Sequence, residues 1–165
     1  MPGSIAASMG EACELRTGVD DRDDGVFATR DLATGDTVML GVPGRPAEAN
    51  HSHANQVSLT AWVLEDGLGP KVNHCCDPNC GVRENPAVDG FDFVARRPIA
   101  AGEEITFDYA MRNHAIEHFP ARCLCGADAC RGQVTGWKDL PAERKAAYGD
   151  LVAPYLLEAD AGRAA

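Results

Sequence analysis

Asn73-His74-Cys75-Cys76-Asp77-Pro78-Asn79-Cys80 and Cys123-Leu124-Cys125-Gly126-Ala127-Asp128-Ala129-Cys130 are the two stretches on which the fold turns. The second holds three thiols at C-x-C-x4-C spacing, with Gly126 permitting the tight turn between them. Thiolates are soft anionic donors for zinc, and a closed tetrahedral site takes four of them. The chain must therefore bring in a distant cysteine, and Cys76 and Cys80 in the first stretch compete for that position. Four thiolates would leave no ligand position open, so such a site would be structural. The competing reading is a set of free thiols or a disulfide between near neighbours. The clustered spacing and the apparent cellular setting disfavour it. Cys75 would point away from an ion held by Cys76, and Cys13 reads as a buried or free thiol.

At 165 residues the chain is long enough for one domain with a real core. Apolar residues make up 45% and charged residues 24%, which is ordinary for a globular protein. There is no run of 18 apolar residues, so no membrane partner is expected. The first residues lack the basic and apolar regions of a secretory signal, so an intracellular location is expected, cytoplasmic if the source is bacterial. The net charge of -10, with only 3 Lys beside 12 Arg, argues against direct nucleic-acid binding and suits a basic protein or peptide partner. A merely solubilising surface would look the same.

Short strands dominate the chain. Val26-Phe27-Ala28 follows an acidic turn, Thr37 to Leu40 is β-branched and apolar, and Val57 to Leu64 alternates as one or two strands. Phe91 to Ala95 and Glu104 to Tyr109 read as further strands, separated by a turn at Pro98 to Glu103. Gly41 to Asn55 and Pro70 to Pro86 read as loops because Gly, Pro, Asn and Asp interrupt any period. Residues 1–12 are small and polar, and are expected to fray. Only the tail reads as helical. Asp139 could cap a turn that Pro141 opens, and Leu151, Val152, Tyr155 and Leu156 would share one face, with Pro154 limiting continuity. The pattern predicts a mainly β domain with short C-terminal helices.

Four segments, in order, resemble SET-domain protein-lysine methyltransferases. Gly25-Val26-Phe27-Ala28-Thr29-Arg30 resembles their opening G-x-G-V-F-A stretch. Val72-Asn73-His74-Cys75-Cys76-Asp77-Pro78-Asn79 is similar to N-H-S-C-x-P-N, and Gly102-Glu103-Glu104-Ile105-Thr106-Phe107-Asp108-Tyr109 to G-E-E-L-T-x-D-Y. Cys123-x-Cys125-x4-Cys130-Arg131-Gly132 resembles their post-SET zinc segment. The resemblance implies small β-sheets around a pseudoknot, with a SET domain over 13–115, a zinc-bound post-SET segment over 116–137 and a helical tail over 138–165. It implies methyl transfer from S-adenosylmethionine to a lysine of a protein substrate. Tyr109 would be catalytic. Gly25, Val26, Phe27, Asn73, His74 and Leu124 would hold the cofactor, and Phe107 would line the lysine channel. It also selects Cys76 as the ligand that joins Cys123, Cys125 and Cys130 around zinc.

Bland readings stand beside these: Tyr109 and Phe107 as strand aromatics, Asn73 as a turn former, His74 as a surface residue. The chain also departs from the family pattern. Asp23 replaces the first glycine of G-x-G, Pro70-Lys71 stands where Arg-Phe is usual, and Cys75 replaces a serine. Only 36 residues separate Thr37 from Asn73, so the insert that walls the peptide groove is short, and Trp62 is its one aromatic. A homodimer could supply the missing wall. These departures motivate two alternatives: a weak or inactive SET-fold binding module, and a structural zinc protein whose motifs are coincidental.

Overall fold

The computed structural model describes residues 12–18, 23–49, 54–117 and 122–163. Most of the stretch expected to fray, and Asp20 to Arg22 of the acidic turn, lie outside the described residues. Ala12 does not fray: it is buried, and its backbone bonds Val38 and Thr29.

Four small sheets carry the fold. The first pairs β1 (Cys13–Arg16) antiparallel with β2 (Gly25–Ala28), whose four residues are all buried. The second places β9 (Gly90–Ala95) between β3 (Thr37–Met39) and β8 (Cys80–Asn85). The third places β6 (Ala61–Glu65) between β4 (Gly44–Ala47) and β5 (Asn55–Ser58). The last is a parallel pair of two-residue strands, β7 (Asn73–His74) and β10 (Thr106–Phe107). Parallel pairing of β7 with β10 closes residues 75–105 into a loop, the topological element that the expected pseudoknot requires. The mainly β class, with two short helices at the end, is as the sequence predicts.

Several expectations need correction. Gly41 to Asn55 is not all loop, because β4 pairs with β6 along its whole length. Its Pro46 is tolerated on an edge strand, where the missing N–H breaks no ladder. Pro70 to Pro86 likewise contains β7 and β8. No alternation marks the start of β8 because Cys80, Gly81 and Val82 are all buried. The reason is the tail: a Cβ on Gly81 would lie 2.5 Å from Cβ of Leu151, and Val82 N donates to Leu151 O at 3.1 Å. The strand expected over Glu104 to Tyr109 shrinks to β10, because the Asp108 carboxylate accepts from Ala110 N and turns Tyr109–Met111 into a 3-10 helix.

The tail forms two helices, α1 (Ala142–Tyr148) and α2 (Pro154–Arg163). Asp139 does not cap α1. It lies in a preceding 3-10 turn, and Pro141 itself occupies the cap position. Pro154 opens α2 instead of limiting it, since a proline at the first helical position loses no helical bond. Leu151 and Val152 therefore sit in the connector, yet Val152 joins Leu156 of α2 in the core. Among the described residues, no helix is long and apolar enough to cross a membrane.

The insert sheet β4-β6-β5 docks through buried polar groups. Arg112 bonds both carboxylate oxygens of Glu65, at 2.8 and 3.2 Å, with both side chains buried and the guanidinium over the Phe91 ring. Gln56 accepts from His114 N through its side chain, while its own N–H donates to the Asn113 side chain. Removing one member of a buried pair strands the other charge. Glu65→Ala is therefore expected to cost about 3–5 kcal/mol in urea unfolding, with Glu65→Leu/Arg112→Met recovering most of that loss.

Candidate functional site

The four cysteines selected by the family resemblance meet. Sγ atoms of Cys76, Cys123, Cys125 and Cys130 all lie within 4.8 Å of one another, and Cys76 is 3.9 Å from Cys123. A tetrahedron with Zn–S of about 2.3 Å has S···S edges of about 3.8 Å, so the donor set and its size fit a zinc ion. Cys123 and Cys125 reach the cluster from one turn, which Gly126 closes with φ +70°. Backbone N–H groups point at the sulfurs: Arg131 N lies 3.4 Å from Cys76 Sγ and Gly132 N 3.4 Å from Cys130 Sγ. Burial alone would raise the Cys125 thiol. N–H groups of Cys76 and Ala127, with the neighbouring thiols, outweigh it and bring the pKa down to about 6.

The other cysteines stay out. Cys75 turns away, its Sγ donating to Asp77 O, and burial pushes its thiol up to about 11. Cys80 is fully buried in the core, raised to about 12 by burial and then by Cys13 nearby. The choice between Cys76 and Cys80 is thus settled by which face of the 73–80 segment meets the tail. No disulfide links the described cysteines.

His74 joins the cluster to the candidate active site. Tyr109 N donates to its Nδ1 at 3.1 Å, so the proton resides on Nε2, 3.3 Å from Cys76 Sγ. Burial pushes the imidazole pKa down to about 4, against the pull of Asp108. His74 is therefore a buried neutral donor to a sulfur, not a surface residue.

Tyr109 is half-buried, and its hydroxyl donates to Val72 O at 3.0 Å. Its ring lies 5.2 Å from His74 and 5.1 Å from Phe107, and Phe107 in turn makes an edge contact with Phe93. Asn73 Nδ2 donates to Asp24 O at 2.7 Å and to Glu104 Oε1 at 2.9 Å, tying β7 to the start of β2. Gly25 sits at that junction, where a Cβ would fall 2.9 Å from the Phe27 ring. Val26 is fully buried and Phe27 nearly so, which leaves their backbones as the groups they can offer. Lys71 pairs with Asp24 at 2.8 Å. Leu124 behaves differently from the other apolar residues here: it is 54% exposed at the tip of the cysteine loop. Asp23 holds φ +72°, the left-handed backbone that a glycine would adopt without penalty.

Sequence reasoning missed Asp108, which is fully buried. Its carboxylate accepts from Arg131 Nη1 at 2.6 Å and Nη2 at 3.1 Å, and from the Tyr148 hydroxyl at 2.6 Å. Asp108 and Arg131 stood inside quoted motifs and were readable there as charged partners. Tyr148 carried no local signal.

The SET-domain family model matches residues 23–110. A histone-lysine N-methyltransferase, H3 lysine-4 specific, from Saccharomyces cerevisiae is 40% identical over 68 residues, covering 40% of this chain and 6% of that protein. Histone-lysine N-methyltransferase SUV39H2 from Homo sapiens is 41% identical over 80 residues, covering 37% of this chain and 19% of its own. The chain thus spans a small part of the curated relatives it matches. The crystal structure of KRYPTONITE in complex with mCHH DNA, an H3(1-15) peptide and SAH superposes with a TM-score of 0.56 at 19% identity, covering 74% of this chain and 29% of that one.

Elemental analysis is expected to find one zinc per chain. Cys75→Ser should retain it. Cys76→Ser should weaken zinc binding by more than the roughly 10- to 100-fold that loss of an outer-shell partner costs, read by competition with a chelating dye.

Proposed function

Because this chain belongs to the SET-domain family, we propose that it transfers a methyl group from S-adenosylmethionine to the side-chain amine of a lysine in a protein. The observation that carries this reading is the Tyr109 hydroxyl, tied to the Val72 carbonyl and flanked by the rings of His74 and Phe107. Its proton is committed to Val72, so its oxygen meets a further partner as an acceptor. Together with the Val72 carbonyl it offers partial negative charge suited to a cationic sulfonium. The exposed apolar side chain of Leu124 suits an adenine face.

When bound, S-adenosylmethionine supplies the electrophilic methyl group. Backbone groups of Gly25, Val26 and Phe27 would hold its amino-acid end, with Asn73 and His74. The Asn73 Nδ2 is already engaged with Asp24 and Glu104, so its carbonyl oxygen and backbone are the contacts it has to give. The substrate lysine must be neutral, and its pKa starts near 10.4. Phe107 and Phe93 make the channel apolar, which disfavours the ammonium form. Tyr109 accepts an N–H from the amine and turns the nitrogen lone pair toward the methyl group, so positioning supplies much of the rate. Phenylalanine at 107 holds no water there, which leaves room for two or three methyl groups.

A net charge of -10 supports a basic peptide as substrate and opposes direct contact with a polyanion. KRYPTONITE was crystallised with both DNA and an H3 peptide, and the peptide is the partner this charge suits. A second copy of the chain beside the short insert is the arrangement we propose for the missing groove wall.

Incubation with labelled cofactor and a panel of basic proteins should give methyl incorporation, and Tyr109→Phe should lower it by about 100-fold, a loss typical of removing a positioned polar group. Cofactor affinity by calorimetry without incorporation into any substrate would favour the second reading, a binding module that has lost turnover. The strained Asp23 motivates that reading. Asp23→Gly should raise stability by about 0.5 kcal/mol in urea unfolding: the left-handed backbone penalty of about 1–2 less the extra chain entropy of glycine, about 0.5–1.

A further inference from the structure

The family model ends at residue 110, yet three later segments converge on the residue before Tyr109. Asp108 is fully buried and accepts four hydrogen bonds, from both Nη atoms of Arg131, the Tyr148 hydroxyl and Ala110 N. Arg131 follows Cys130 directly, and its own N–H points at Cys76 Sγ. One carboxylate thus holds the cysteine loop with one oxygen pair and the C-terminal helix with a third donor. Tyr148 is itself packed for this: it is buried at the end of α1, with the Arg96 guanidinium 4.8 Å from its ring. Arg96 also donates to Pro78 O, inside the segment that carries Cys76. Burial, then the Asp108 charge, push the Tyr148 hydroxyl pKa well up, so it stays a donor.

We infer that Tyr148, in the C-terminal helix, is a positioning residue for methyl transfer, acting through Asp108 to fix both Tyr109 and the zinc-binding loop. Without its hydroxyl, Asp108 keeps Arg131 but loses a short charge-assisted bond on one oxygen. The carboxylate can then turn with Arg131, and Tyr109 and the cysteine loop turn with it. Elsewhere the tail is held by contacts that do not touch Asp108: Trp137 Nε1 and Lys145 Nζ both donate to Asp160, and Lys145 lies over the Trp137 ring. That separation permits a control.

The kinetic arm of the test rests on the methyl-transfer reading; the zinc arm does not. In zinc-loaded full-length protein, Tyr148→Phe should lower kcat about 10-fold with KM for cofactor and peptide changed less than twofold. Zinc loss to excess chelating dye should become about 10-fold faster. Lys145→Met loosens the tail at Asp160 and should lower the melting temperature while leaving kcat and zinc loss near wild type. Arg131→Lys keeps the charge but not the fork, and should reproduce the Tyr148→Phe zinc phenotype, with the double variant less than multiplicative. Should Tyr148→Phe not fold, Arg131→Lys carries the zinc comparison alone. Unchanged zinc loss in the variants at Tyr148 and Arg131, or equal effects from Lys145→Met, would overturn the inference by reducing Tyr148 to a generic packing residue. Wild type that releases zinc as expected yet methylates nothing would sink the proposed activity and leave the inference to be decided by the zinc arm.

Discussion

A buried carboxylate is an expensive thing to place in a small β-rich core, and Asp108 is fully buried. An isolated ionised carboxylate would have to neutralise or drag water inward. Here the Arg131 fork, the Tyr148 hydroxyl and a backbone N–H replace its hydration shell. The arrangement has a structural consequence. Each donor comes from a different part of the chain, so the carboxylate can be satisfied only when the cysteine loop and the C-terminal helix are both in place. Removing one donor does not leave a neutral gap; it leaves charge with less compensation, which is why such nodes are specified tightly.

The cysteine cluster obeys the same logic with the sign reversed in emphasis. Four thiolates around a divalent cation carry roughly two net negative charges. Nearby donors answer that charge: the N–H groups of Arg131 and Gly132 and the neutral Nε2–H of His74. His74 can play this part only because Tyr109 N occupies its other nitrogen. The candidate active site and the candidate metal centre therefore share a histidine tautomer as well as an arginine. Disturbing one side of that histidine disturbs the other.

Residues with obligatory chemistry were legible in the sequence. Cysteines at ligand spacing, the Asn-His pair and the Asp-Tyr dipeptide each announce a local requirement, and the four cysteines, Asn73, His74 and Tyr109 are gathered as the motifs imply. What stayed hidden depended on tertiary cover. The start of β8 shows no alternation because the tail buries its other face at Gly81, and β4 hides behind the Pro46 that its edge position tolerates. The 3-10 turn at Tyr109–Met111 looked like strand because a side-chain cap by Asp108 overrides the β-prone run before it. Helix α2 begins at a proline that read as an obstacle, since position within a helix decides what proline does. Tyr148 had no signal at all: a tyrosine in a short amphipathic helix is indistinguishable from core filler until its hydroxyl partner is known.

The short segment from Asp108 to His114 is where these constraints add up. Asp108 holds the cysteine loop and α1, Met111 O accepts from Ala153 N in the connector, and Arg112 holds Glu65 of the insert sheet. Arg112 O also accepts from the Tyr155 hydroxyl of α2, Asn113 O accepts from Trp137 N, and Asn113 and His114 meet Gln56. A chain with a short insert has little apolar area with which to seat that insert, so polar contacts to one rigid segment substitute for it. The tail then makes that segment rigid. In this arrangement the C-terminal helices are not an appendage to the family core: they brace the strip of backbone on which the insert sheet, the cysteine loop and Tyr109 are all mounted. A loosened tail should be felt at each of the three, in proportion to how directly the lost contact reaches residues 108–114.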